Sequence, residues 1–342
     1  MLNVSYILPC YNTEKYISQC IESLYRQNMP ENEFEVICVN NATTDNLENI
    51  VLEFQKKHMN IQYVKLNVNV CSGGAYNAGL KVAQGKYIQF VDSDDYLKDG
   101  IENKLLTEMV RFDLDLLYFN IASFKDLDSF TLEQNLRFNG NLNNEIDICD
   151  GSGFVEYFIK QKSFEFIPVP AYRKLIKKDF LVDNKIEFTE TTVGTDFLHN
   201  LICLKHAQRV KGICFDPYCF RYNPNGVTRS AITPAKIIFA LNNYGEAYRQ
   251  SVDSNFNEDV KKVVYAEMAR TVSMYMSYVS QIPNNEKKIV YKSIENIDVI
   301  KILSRDLLSK LIVKHPYAFM AISRLSPFFV RKLLVRLKNV YR

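Results

Sequence analysis

The stretch YIQFVDSDDYL, residues 87–97, is the one from which the rest of the chain can be read. Tyr87 to Val91 are mostly apolar and read as a short buried strand that runs straight into Asp92, Asp94 and Asp95. Carboxylates crowded at a strand end repel one another, and that cost is relieved when a cation sits among them. Few, hard oxygen ligands suit Mg or Mn, which complete their shell with water and substrate phosphates. The competing reading is a plain polar turn that caps the helix beginning near Gly100.

Outward from this stretch, strand and helix patterns alternate. On the amino side come strands Val4–Leu8, Phe34–Val39 and Ile61–Leu66. Between them lie a helix with Ile17, Cys20, Ile21 and Leu24 on one face, capped by Asn12 or Thr13, and a helix Leu47–Lys57, capped by Thr43 or Thr44. The segment NVCSGGAYNAGLKVAQG turns at Gly73 and Gly74 and becomes a helix ending at Gly85. On the carboxyl side follow a helix Ile101–Arg111 and a strand Leu116–Ile121. Such alternation predicts an α/β fold with a mostly parallel, doubly wound sheet. Right-handed crossovers gather the loops Pro9–Glu14, Asn40–Asp45 and Asp92–Asp95 at one rim, where open α/β sheets bind ligands. Two nucleotide-binding patterns are excluded. The first turn is PCYNTE and not GxGxxG, and no GxxxxGK followed by Ser or Thr occurs. Gly151 and Gly153 in DGSGF read as a helix entry.

With 342 residues, 47% hydrophobic and 24% charged, the composition is that of a globular protein. The N-terminal MLNVSYILPCYN has no basic region and is broken at Pro9, so it reads as a strand and not a signal peptide. No run is long enough to span a membrane. Eight cysteines without CxxC spacing read as buried free thiols of a reducing, cytoplasmic compartment. Charge is uneven: residues 303–342 hold nine Lys or Arg against the single acid Asp306, while the whole chain is +3.

ILPCYNTEKYISQCIESLYRQ, VICVNNATTD, CSGGAYNAGLKVAQGKYIQFVDSDD and VGTDFLHN, in that order over roughly residues 2–230, resemble the family 2 glycosyltransferases of GT-A fold. The resemblance implies transfer of a sugar from a nucleoside diphosphate donor to an acceptor hydroxyl, usually with inversion. It implies Pro9, Tyr11, Asn12 and Glu14 as the nucleotide pocket, Asp92 and Asp94 as the acidic pair, with Asp94 the direct ligand of Mn or Mg, and Asp196 as general base. Asp92 then also touches the nucleotide. Thr195 or Asp196 as a mere N-cap is the rival reading, Glu187 and Glu190 are the fallback bases, and His199 lies one helical step from Asp196. A strand Gly212–Phe220 leads into FRYNPNGVTRS, which resembles the family's donor-covering loop, with Arg221 and Arg229 as its diphosphate cations.

Departures from the family pattern matter too. Asn41 stands where relatives hold the base with an acid, and Tyr76 replaces the Arg of ARNxG, giving a ring that can stack on a base. Thr195 replaces the Glu before the base, and Asn223 stands where some relatives have a metal-side His. The division expected is 1–230 catalytic, 231–302 a helical appendage (Lys236–Gln250, Glu258–Gln281, Asn285–Lys301), and 303–342 basic amphipathic helices. In FFVRKLLVRLKNVYR the alternation of Phe328, Phe329, Leu333, Leu337 and Val340 with Arg and Lys suits an anionic membrane surface on the cytoplasmic side, with packing on the enzyme as the competing reading. No stacking platform for nucleic acid is present. The function expected is a metal-dependent transferase acting on a glycan or lipid-linked acceptor in surface-polysaccharide synthesis. The alternatives are a sugar-nucleotide-binding protein without catalysis and a sugar-phosphate nucleotidyltransferase.

Overall fold

The computed structural model describes residues 2–124, 142–160, 170–223 and 231–294. Its centre is a nine-stranded sheet. Strands β1 (Val4–Cys10), β2 (Phe34–Asn40), β3 (Ile61–Lys65) and β4 (Tyr87–Phe90) lie in the order β3-β2-β1-β4, all parallel. Helices α1 (Ile17–Tyr25), α2 (Leu47–Lys57) and α3 (Cys71–Val82) connect them. Side chains of β1 alternate between two cores: Tyr6 and Leu8 face the layer of α1, while Ile7 faces the layer of α3. That alternation makes the sheet doubly wound, with period-2 burial on both faces.

Beyond β4 the order departs from the expected one. The chain continues through β5 (Tyr96–Leu97), α4 (Glu102–Arg111), β6 (Leu116–Phe124), β7 (Ile146–Cys149) and α5 (Gly151–Lys160), then β8 (Lys174–Lys177) inserts antiparallel between β4 and β6. No sequence expectation covered β8, because KLIK is too short and too basic to read as a core strand. Helices α6 (Lys178–Asp183) and α7 (Thr195–His206) lead to β9 (Val210–Arg221), which runs parallel to β6 and holds β5 antiparallel on its other side. Six strands, β1 to β4, β6 and β9, therefore run one way, and their carboxyl ends share a rim. The acidic stretch is strung across that rim between β4 and β5.

The helices α8 (Pro234–Val252), α9 (Glu258–Tyr278) and α10 (Asn284–Ile294) follow. Pro234 opens α8 at a position where its missing N–H costs nothing, and Thr233 caps it by accepting from the Lys236 amide. Ile237, Leu241, Tyr244, Val264, Met268 and Val272 join the same core as α7, so these helices pack on the sheet's flank. Among the described residues no helix is long and apolar enough to cross a membrane. All eight cysteines are free; Cys214 is exposed and Cys71 and Cys149 half-buried, the other five buried.

Three local expectations are corrected. Asn12 and Thr13 do not cap α1, whose N-cap is Tyr16 without a side-chain bond, and Thr43 and Thr44 do not cap α2, whose N-cap is Asn46. The short side chains that ordinarily cap helices are used here to join loops instead. Gly73 and Gly74 do not form a turn but lie in the first turns of α3. Glycine is required at 73 because a Cβ there would stand 1.9 Å from the Thr189 carbonyl oxygen.

Candidate active site

The first two rim loops are stitched together. The Asn12 side-chain oxygen Oδ1 accepts from Thr43 Oγ1 (3.0 Å) and from the Thr44 backbone amide (3.0 Å), and the Asn12 backbone amide donates to Thr43 Oγ1 (2.8 Å). The Glu14 carboxylate accepts from the Asn46 amide, while the Glu14 amide donates to Asp45, both at 2.8 Å. Asn12 adopts a left-handed φ of 54°, which Asn tolerates because its side chain bonds locally. Asn12 and Glu14 thus shape the rim, and Tyr11 between the loops is 42% exposed. The third loop is tied to the first through Ser93, which donates to the Pro9 carbonyl oxygen (2.8 Å) and bonds Thr13 Oγ1 (2.9 Å).

The three aspartates have separate environments. Asp95 is buried and fully engaged: its oxygens accept from the Tyr218 hydroxyl (2.6 Å) and from the Arg221 amide (2.7 Å). Asp92 and Asp94 are only half-buried. Asp92 Oδ1 accepts from the Tyr76 hydroxyl (2.5 Å), and Asp94 Oδ2 accepts from Asn223 Nδ2 (3.1 Å). Burial, followed by the charge of Asp94, pushes the Asp92 carboxyl up to about 7. Two under-compensated carboxylates at one strand end are what a divalent cation would offset. Among the described residues no cluster of three or more His, Cys, Asp or Glu could enclose a metal alone.

Asp196 sits in the first turn of α7. The N-cap is Gly194 in a left-handed conformation (φ 78°), so neither Thr195 nor Asp196 is the cap; the Thr195 hydroxyl donates to the Thr189 carbonyl oxygen (3.0 Å). Among the described residues the Asp196 carboxyl accepts no hydrogen bond, and burial raises it to about 6 against the opposing charge of buried Lys174. The charge of Asp196 in turn raises Asp92, Tyr76 and Tyr172, so these groups lie within electrostatic reach of it. Glu187 and Glu190 are exposed.

Three sequence expectations are revised. The Tyr76 ring is no stacking platform for a base. It is buried against Phe90 (4.7 Å) and Phe188 (4.9 Å), and only its hydroxyl reaches the site. Asn41 does not present an open amide. It is buried, accepts from the Val70 amide (2.8 Å) and donates to Asn69 and to the Cys71 carbonyl oxygen. Arg221 is no surface lid cation. It is 4% exposed, its Nε donates to the Asp94 carbonyl oxygen (2.7 Å), Nη2 donates to Gln19, and the guanidinium lies 4.8 Å from the Tyr16 ring. His199 is a packed structural residue, the ordinary role of a lone His beside a core. It is buried and stacked flat on Phe188 (3.7 Å), with its protonation suppressed by burial. Arg229 and residues 303–342 lie outside the described residues.

Sequence reasoning also missed residues that build the site. Tyr218 links two aspartates, since its oxygen accepts from the Asp92 amide (3.0 Å) while its proton goes to Asp95. Tyr172 stacks on it at 4.5 Å. Lys174, fully buried on β8, lies with its Nζ 5.6 Å from the Tyr118 ring and is lowered to about 8 by desolvation. A lysine inside KLIK and a tyrosine inside DPYCFR carry no spacing signal that marks them.

A family model described as Glycosyl transferase family 2 matches residues 5–148. The "Uncharacterized glycosyltransferase EpsJ" of Bacillus subtilis is 28% identical over 334 residues, 92% of this chain and 87% of that protein. A poly(ribitol-phosphate) beta-glucosyltransferase of Bacillus spizizenii is 41% identical over 97 residues, but these make up 28% of this chain and 15% of the relative's own length. Among solved structures, S. aureus TarS 1-349 in complex with UDP-GlcNAc superposes with a TM-score of 0.66 at 19% identity, covering 88% of this chain and 81% of that one. At that identity the likeness is one of fold.

Proposed function

We propose, for a chain whose residues 5–148 match the family model described as Glycosyl transferase family 2, transfer of a sugar from a nucleoside diphosphate donor to an acceptor hydroxyl, with inversion, in the synthesis of a cell-surface glycan. The observation that carries this reading is the pairing of Asp92 and Asp94 on one wall of the rim with an unbonded Asp196 carboxyl whose charge is felt at Asp92. Asp196 takes the acceptor hydroxyl proton as its oxygen attacks the anomeric carbon, and the bond from that carbon to the diphosphate oxygen breaks. A single displacement of this kind inverts the anomeric configuration. Asp92 and Asp94 would hold Mn or Mg, whose charge would offset that of the departing diphosphate. Pro9, Tyr11, Asn12 and Glu14 line the nucleotide pocket. Asn41 and Tyr76 serve it indirectly, by fixing the 69–71 loop and Asp92.

The printed names of the relatives point to a poly(ribitol-phosphate) acceptor and to UDP-N-acetylglucosamine as the first donor to test. Release of UDP from a panel of UDP-sugars with MnCl2 tests the reading. Release that requires Mn and is lost in Asp94→Ala and Asp196→Asn supports it, whereas silence with every donor points to a sugar-nucleotide-binding protein. We further assign residues 231–302 to a helical appendage and the basic residues 303–342 to attachment at an anionic membrane surface. Sedimentation with phosphatidylglycerol vesicles, lost on truncation at residue 302, checks the attachment.

A further inference from the structure

We infer that Asn243, on α8, is a positioning residue for Asp196: it clamps the loop that presents the base, so the helices after residue 231 complete the active site. This rests on the reading of Asp196 as general base.

The Asp196 carboxyl accepts no hydrogen bond among the described residues, so its orientation depends on the backbone that carries it. A general base must hold its proton acceptor within a fraction of an ångström of the productive position. The backbone leading to Asp196 runs through residues 189–194, a loop without regular structure. Asn243 is 3% exposed, and its amide nitrogen donates to the Thr191 hydroxyl (2.8 Å) and to the Val193 carbonyl oxygen (2.6 Å). Both of its protons are therefore used on this loop.

Asn243 is also out of place on its own helix. The buried face of α8 is otherwise mostly apolar, with Ile237, Ala240, Leu241, Tyr244, Ala247 and Tyr248. A buried amide is costly unless paired, and this one finds its pairing in the loop. Packing reinforces the clamp. A Cβ on Gly194 would stand 3.1 Å from Asn243 Cβ and 3.3 Å from the Tyr244 ring, and the Tyr244 ring stacks on Phe197, the residue after Asp196, at 4.8 Å. On the opposite side Gly73 of α3 lets the helix backbone approach Thr189. The loop is held from two sides: Asn77 of α3 bonds both backbone groups of Phe188 at its start (2.8 and 2.9 Å), and Asn243 of α8 bonds Thr191 and Val193 within it, nearer to Asp196.

Hydrogen exchange and turnover on the full chain test this together. In Asn243→Ala the amides of 189–197 are expected to exchange about tenfold faster, with those of 92–97 unchanged. UDP release from UDP-N-acetylglucosamine with Mn is expected to fall on the order of tenfold in kcat, with donor KM within about twofold of the parent. Asn243→Asp, which keeps the shape but cannot donate, gives the same result if the alanine variant folds poorly. Ser251→Ala removes a bond internal to α8, from the Ser251 hydroxyl to the Ala247 carbonyl oxygen (2.6 Å), and leaves loop exchange at the parent rate. Unchanged loop exchange in the Asn243 variants, faster exchange with parental kcat, or equal acceleration in Ser251→Ala overturns the inference. Asp196→Asn at parental turnover removes the base assignment and this inference with it. Unchanged loop exchange removes the clamp alone.

Discussion

Around residues 92–95 the protein grips carboxylates directly, whereas around residue 196 it grips only the backbone. Asp95 is buried against Tyr218 and the Arg221 amide, Asp92 is held by Tyr76, and Asp94 by Asn223. Among the described residues Asp196 has no such partner, and its loop is fixed by Thr195, Gly73 and Asn243. The contrast matches two chemical demands. Groups that hold a charged diphosphate keep one geometry throughout, so locking their oxygens is an advantage. A group that must accept a proton needs free lone pairs, so its support has to come from the chain behind it.

The largest effect that would break this contrast is expected at Asp196. Asp196→Asn should cut transfer by roughly 10²–10⁴-fold while UDP binding in the presence of Mn, followed calorimetrically, stays at the parent level. The ionised carboxylate is the active form, so kcat/KM should rise with pH through a limb near 6 and fall below it. Replacing Lys174, whose charge lowers that pKa, with Met should move the limb to higher pH; a limb that stays in place would show that Lys174 does not act on the base.

On the other wall, Asp94→Ala should weaken Mn-dependent donor binding on the order of 10²-fold, measured as the apparent affinity for UDP with and without Mn. Asp95→Ala should act on stability instead. It leaves the Tyr218 hydroxyl and the Arg221 amide without their buried partner, at a cost of about 1–3 kcal/mol in denaturant unfolding. The smallest effect expected is that of Tyr76→Phe, which keeps the aromatic packing and removes only the hydroxyl on Asp92. Turnover should fall roughly tenfold with little change in melting temperature. A variant as active as the parent would show that Asp92 needs no such support.

Much of the frame was legible from the chain. The strands Val4–Leu8, Phe34–Val39 and Tyr87–Val91 and the helix Leu47–Lys57 lie within a residue or two of the observed elements, because burial on a sheet or a helix face leaves a local periodic trace. The gathering of the loops after Leu8, Val39 and Val91 at one rim followed from the handedness of crossovers. Roles that depend on a partner were not legible. Tyr76 read as a stacking ring, Arg221 as a lid cation and Asn41 as an open amide, since residue type alone does not say what a polar group will touch.

Local pattern by itself determined the alternating elements, the parallel half of the sheet and the position of the aspartates at a strand end. Tertiary structure alone decided that β8 enters antiparallel between β4 and β6, that Asp95 is buried against Tyr218 and Arg221 while Asp92 and Asp94 are only half-buried, and that α8 reaches the loop before Asp196. The physical reason is range. Periodicity records whether a residue is buried, which neighbours in the chain reveal. A hydrogen bond between Asp95 and Arg221, 126 residues apart, depends on where the folded chain brings two groups together.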